Sequence, residues 1–184
     1  MALELADLPV RPITVDEALR MFDAGVFEAP SRIELLRGIL VEKPVSSPQH
    51  SEAKTRVSEW LWGLGPRILR IEDPVVGWGV ISMPKPDLAV VAPGDYSREH
   101  PAAALLVVEI SKSSFVVDIK VKAPIYAAMG VPDYWVVDLE RQRVLVHRDP
   151  TPDGYARPTV HRAPEQLQPI AVDIEPFDLN ALFS

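Results

Sequence analysis

Apolar and polar residues change their period several times along the chain, and the changes divide it into elements. Thr14-Val15-Asp16-Glu17 has the capping-box form, and Val15, Ala18, Leu19 and Phe22 follow at helical spacing, which predicts a helix over 15–23. Residues 32–43 (RIELLRGILVEK) predict two strand segments that turn at Arg37-Gly38, where glycine supplies the backbone freedom a tight turn needs. Ser47-Pro48 reads as a helix cap followed by proline at the first helical position. Ala53, Val57, Trp60, Leu61 and Leu64 continue as one apolar stripe, so 48–63 is predicted helical.

The second half is richer in strands. Runs 67–72, 75–81 and 86–92 are strand-like, separated by Asp73-Pro74 and Pro84-Lys85-Pro86. Ala104 to Ile110 is nearly all apolar, the pattern of a strand buried on both faces. Residues 118–130 predict a helix closed by Gly130, with Pro124 in conflict: the helix either starts near Ala123 or is kinked. Runs 133–139 and 142–148 predict a hairpin around Glu140-Arg141, and a further strand is expected near 155–161. There is no repeat, low-complexity tract or linker. The expected fold class is α/β, a mixed β-sheet flanked by helices. It is expected to form one domain over 1–184, with an N-terminal helical extension (1–31) and a C-terminal extension (150–184).

Composition narrows the chemistry. With 47% hydrophobic and 24% charged residues the chain reads as a folded domain rather than a disordered one. No apolar run reaches the ~18 residues of a membrane span. The acidic start (Glu4, Asp7, Asp16, Glu17) lacks the form of a secretory signal, so the expected location is cytoplasmic. Cysteine is absent, which removes disulfides, thiol catalysis and thiolate metal sites together. With only four histidines, any metal site falls to carboxylates, which favours Mg²⁺ or Mn²⁺. The formal net charge of −7 works against broad nucleic-acid binding without forbidding a local basic patch. No glycine loop of the phosphate-cradling type is present.

Glu109 is the most informative residue, because its neighbours Leu105 to Ile110 are otherwise apolar. An unpaired buried carboxylate costs several kcal/mol, so the fold must supply a cation or a proton there. Strand alternation puts Leu105, Val107, Glu109 and Ser111 on one face. Asp87 follows Pro86 and opens the run 88–91, at the mouth of a strand. If the strands 87–92 and 104–110 are neighbours, both carboxylates can converge on one divalent ion. Lys122, four residues from Asp118 and from Tyr126, can complete the site from a helix face. Each residue also has an ordinary reading: Asp87 as a turn residue, Glu109 as an ion-pair partner, Lys122 as a solvated helix residue paired with Asp118. Tyr126, Tyr134 and Trp135 read as core, and Ser111, Ser113 and Ser114 as a turn or cap rather than nucleophiles. His100, His147 and His161 show no metal spacing.

Pro86-Asp87, Val108-Glu109-Ile110-Ser111, Asp118, Lys122, Tyr126 and the string Gly130 to Asp138 together resemble the Uma-type endonuclease family. That family belongs to the restriction-endonuclease-like superfamily of P-D…(D/E)-x-K nucleases. Residues 32–42 and Ser47-Pro48-Gln49-His50 are similar as well, so the resemblance covers about 32–147. It implies a restriction-endonuclease-like core, a divalent metal (Mg²⁺ or Mn²⁺), phosphodiester hydrolysis with DNA as partner, and a homodimer for which the tail beyond 150 could supply a surface. By position, Asp87 and Glu109 would be the metal carboxylates. The superfamily's usual lysine falls on Ser111 here, and Lys112 is expected to point to the opposite face. The role passes to Lys122 on the following helix, with Lys120 as the fallback. Glu34, Glu42 and His50 stand as possible additional ligands. The alternative is a catalytically degenerate protein on the same fold that binds nucleic acid or protein. A hydrolase of small phosphoesters is a third reading.

Overall fold

The computed structural model describes residues 10–29, 32–65, 68–76 and 81–183. Local chemistry sets the first elements. Helix α1 (Val15–Asp23) starts at a complete capping box: the Thr14 hydroxyl accepts from the Glu17 amide, and the Glu17 carboxylate accepts from the Thr14 amide at 2.9 Å. Strands β1 (Ile33–Leu36) and β2 (Ile39–Glu42) form the expected hairpin. Its turn residues Arg37 and Gly38 both have positive φ (51° and 78°), and a Cβ at 38 would lie 2.2 Å from that of Pro12, so only glycine fits. Helix α2 (Pro48–Leu61) is capped by the Ser47 hydroxyl and runs on into a 3₁₀ turn at Trp62–Leu64.

A six-stranded sheet forms the centre. Its strands are β3 (Leu69–Ile71), β4 (Leu88–Val90), β5 (Leu106–Ser111), β6 (Asp133–Asp138), β7 (Arg143–Arg148) and β8 (Thr159–His161), lying side by side in that order. Only β5 and β6 run parallel; the other neighbours are antiparallel, so the sheet is mixed as expected. Two segments differ from expectation. In the run 75–81, residues 77–80 lie outside the described residues, while Val75 and Val76 bond to the loop carbonyls of Pro84 and Pro101 rather than to a ladder. The strand expected over 155–161 is reduced to 159–161 at the sheet edge, where only one neighbour is available to pair.

The two faces of the sheet pack differently. Leu106, Val108, Ile110, Trp135 and Val137 face α2 and the C-terminal tail. The tail contributes strands β9 (Gln166–Leu167) and β10 (Phe177–Asp178) and the short helix α4 (Asn180–Phe183). Trp60 stacks on Trp135 (centroids 5.8 Å apart) and donates its indole N–H to the Glu175 carbonyl at 2.8 Å. Each such large side chain contributes about 1.5–3 kcal/mol by leaving water. Val107, Tyr134 and Val136 face the other way, onto the helical crossover between β5 and β6.

That crossover resolves the conflict at Pro124. An α turn (Phe115–Val117), a π-helical stretch (Asp118–Lys122) and an α segment (Ala123–Ala128) make one continuous run, here α3, which begins before the predicted start at 118. The Ala123 amide reaches back five residues to the Asp118 carbonyl. Pro124 then stands in the first turn of the following α segment, where a missing amide leaves no bond unmade. Among the described residues no helix is long and apolar enough to cross a membrane.

Candidate metal and catalytic site

The carboxylates meet where β5 ends. The β4–β5 register pairs Leu88 with Val108, and one step further along it Asp87 stands opposite Glu109. This satisfies the condition on which their convergence depended. Asp87 is held from three sides: Oδ2 accepts from the Ile110 amide (2.8 Å) and lies 3.1 Å from His50 Nε2, while Oδ1 is 3.3 Å from Lys43 Nζ. His50 arrives from the first turn of α2, fixed by the Ser47 cap. Lys43 follows β2 and also donates to the Lys85 carbonyl at 2.9 Å.

Lys122 organises the rest. Its Nζ lies 2.9 Å from Glu109 Oε1, 3.0 Å from Glu34 Oε1 and 3.7 Å from Asp118 Oδ1, all nearly closed to solvent. Glu34 comes from β1 and accepts from the Lys85 amide at 2.7 Å. The Tyr126 hydroxyl donates to Glu109 Oε1 at 2.9 Å. Asp118 is held by the hydroxyls of Ser111 and Ser114, and its carbonyl accepts from the Tyr134 hydroxyl. The π turn at 118–122 carries two of these charged groups inward, Asp118 and Lys122 both being buried.

Acidic and basic groups are interleaved in the site. Four carboxylates (Glu34, Asp87, Glu109, Asp118) surround two lysines and one histidine. Burial drives the Glu109 carboxyl up to about 8; Lys122 opposes this, and the charges of Asp118 and Asp87 add to it. Asp118 is raised chiefly by burial as well. Burial also pushes Asp87 up, but the His50 bond, Lys43 and the Ile110 amide outweigh it and hold that carboxyl well below the usual range. Lys122 stays charged: burial disfavours its ammonium, and Glu109, Glu34 and Asp118 more than compensate.

A cleft of about 580 Å³ opens over these groups. Both bonds to Glu109 fall on Oε1; among the described residues none falls on Oε2, and Glu109 lines the cleft. Among the described residues no three His, Asp or Glu side chains form a ready cage, because Lys122 draws the oxygens of Glu34, Glu109 and Asp118 to itself. Mg²⁺ does not require such a cage: one or two carboxylates with water and substrate phosphate suffice. Asp87 and Glu109 fit that requirement.

The structure thus brings together Asp87, Glu109, Lys122, Glu34 and His50. Glu42 lies at the cleft rim, exposed and paired with Arg32 at 3.2 Å. Lys120 is exposed and outside the cleft lining. Lys112, expected on the opposite face, also lines the cleft and donates to Gln49 at 2.7 Å, because β5 ends at Ser111 and the alternation stops there. Sequence reasoning missed Lys43, which carries no signal beyond being a charged residue after a strand. It also placed Tyr126 only in the core, although its hydroxyl is a working part of the site.

A family model, Uma2, described as "Putative restriction endonuclease", matches residues 15–179, and the chain belongs to that family. Among solved structures the chain is similar to one described as a putative nuclease belonging to DUF820, from Anabaena variabilis ATCC 29413. The two share 21% identity with a TM-score of 0.70, over 94% of this chain and 98% of that one. That likeness shows the fold, and the expected restriction-endonuclease-like α/β core is present. No curated protein matches the chain. Family and fold together are those of nuclease-like proteins.

Proposed function

We propose that this protein is a divalent-metal-dependent nuclease that hydrolyses phosphodiester bonds in DNA. The observation that carries the reading is the meeting of Asp87 and Glu109 at the end of β5, in a cleft lined by four buried carboxylates. These two residues would hold Mg²⁺ or Mn²⁺. When bound, such an ion supplies Lewis-acid stabilisation of charge on the phosphoryl oxygens and makes water more acidic.

The chain's own groups supply the positioning. Tyr126 and Lys122 fix one oxygen of Glu109 and leave the other toward the cleft. His50, Lys43 and the Ile110 amide fix Asp87 in its ionised form. Lys122, held by Glu34, Glu109 and Asp118, orients the attacking water and offsets charge that develops on phosphorus. Asp118, gripped by Ser111 and Ser114, keeps the lysine-bearing turn in place. The test is cleavage of labelled DNA in Mn²⁺ or Mg²⁺ by wild type, Asp87→Asn and Glu109→Gln. Cleavage is expected to fall about 10²-fold or more in both variants, the scale of losing a group that stabilises transition-state charge. Undiminished cleavage by both variants would exclude the assignment.

One observation favours a second reading, an inactive binding protein on the same fold. Ser111 stands at the usual lysine position, and its hydroxyl is engaged by Asp118. Calorimetric titration with Mn²⁺ separates the two, since a degenerate site gives no heat of binding.

A further inference from the structure

We infer that the cleft takes an unpaired DNA strand in preference to a duplex. The inference rests on the nuclease reading for the identity of its ligand and concerns the substrate form that this site admits.

Three features point the same way. The first is depth: Asp87 and Glu109 are each 2% exposed, at the floor of the cleft rather than on a ridge. A phosphate must enter the cleft to reach them, which a strand free to bend away from its partner can do. The second is the wall above that floor, which is apolar. Val41, Pro44, Val45 and Val117 line it, with Val45 79% and Val117 36% exposed. Such side chains give no purchase on a phosphate backbone, but they suit the faces of unstacked bases.

The third feature is charge. Duplex affinity comes largely from lysines and arginines that neutralise many phosphates. Among the described residues several basic side chains, such as Arg32, Lys54 and Arg143, are paired with carboxylates, and the exposed Arg37, Arg98 and Lys120 lie outside the cleft lining. Within the cleft Lys43 and Lys122 are held by acids, and Lys112 is the lysine at the exposed rim, set against Glu42 and Glu140 in the same lining. The whole chain carries −7. A site built from a deep acidic floor, an apolar wall and a single rim lysine takes a short stretch of one strand: one phosphate at the floor, bases on the valines.

The experiment uses the full chain. A fluorescent oligonucleotide, alone and annealed to its complement, is titrated by anisotropy with wild type in Ca²⁺ in place of Mn²⁺, and incubated with wild type in Mn²⁺ for cleavage. The single strand is expected to bind at least about tenfold more tightly. With about two phosphate contacts, the logarithm of its affinity should fall against log salt with a slope near −1.4. The double variant Val45→Glu/Val117→Glu, at exposed positions, is expected to lower single-strand affinity severalfold with its melting temperature unchanged. Duplex bound as tightly as single strand, or no binding of either, overturns the inference. Unaltered affinity in the valine variant overturns it too. Single-strand preference in binding with no cleavage by wild type supports the strand preference while removing the nuclease reading, so the two fail separately.

Discussion

The two faces of the central sheet are built from the same strands and serve opposite ends. On the α2 face, Leu106, Val108, Ile110, Trp135 and Val137 meet α2 and the tail in an apolar layer, with the buried Asp133 at its edge held by Trp135 and Arg148. On the α3 face, the alternate residues Val107, Tyr134 and Val136 are apolar toward the middle, but Glu109 and Ser111 break the layer at the end of β5. One residue of offset along one strand therefore separates packing from chemistry. Burial on the first face stabilises the scaffold. On the second, part of that gain is forgone to hold four carboxylates and Lys122 out of water, where each charged group needs a partner.

The sharpest way to break this comparison is to exchange the consequences of substitution between the faces. Glu109→Gln is expected to abolish metal-dependent cleavage with thermal stability unchanged or slightly raised, since burial already pushes that carboxyl toward its neutral form; Asp87→Asn is expected to abolish cleavage and to lower stability, because His50, Lys43 and the Ile110 amide hold that carboxyl ionised. Activity assays beside thermal melts check this. Trp135→Ala should do the reverse, costing about 3–5 kcal/mol of stability through the cavity left under Trp60, with little change in cleavage per folded molecule. Denaturant titration measures it.

Lys122→Met tests the boundary between the faces. It leaves Glu34, Glu109 and Asp118 without their common cation, and a loss of about 3–5 kcal/mol is expected. Glu34→Gln in the same background should recover part of that loss, whereas a surface role for Lys122 would give no recovery. Ser114→Ala removes one of two hydroxyls on Asp118 and should cost about 1 kcal/mol.

A pH-dependent effect concerns His147. It is buried beside Tyr134 and Tyr155, and its Nε2 has no partner among the described residues. Burial lowers its folded pKa from 6.5 to about 4. The native state therefore binds fewer protons than the unfolded one between those values. Its contribution to stability is complete above about 6.5 and is lost as the pH falls toward 4. His147→Phe is expected to flatten this part of the stability–pH curve; an unchanged slope would assign the acid sensitivity elsewhere.

Much of this architecture is legible in the sequence, for identifiable reasons. The Thr14 capping box, the Arg37-Gly38 turn and the Ser47-Pro48 helix start are local signals, written within a few residues of where they act. Glu109 stands out because an acid in an apolar run demands a partner. What cannot be read locally depends on pairing between distant segments. Glu34 and Glu42 look equivalent in one dimension. The fold sends Glu34 to the Lys85 amide and Lys122, and leaves Glu42 at the rim with Arg32. Lys43 reaches Asp87 across 44 positions of chain. The π turn at 118–122 arises where Pro124, the buried Asp118 and the buried Lys122 must all be accommodated together.

The claim most exposed to test is that Asp87 and Glu109 together form a divalent-metal site. Calorimetric titration of Mn²⁺ into wild type, Asp87→Asn and Glu109→Gln addresses it directly. The expected result is saturable binding in wild type that is lost in both variants while both remain folded by circular dichroism. Binding that is equal in all three proteins, or no binding in wild type, would contradict the account.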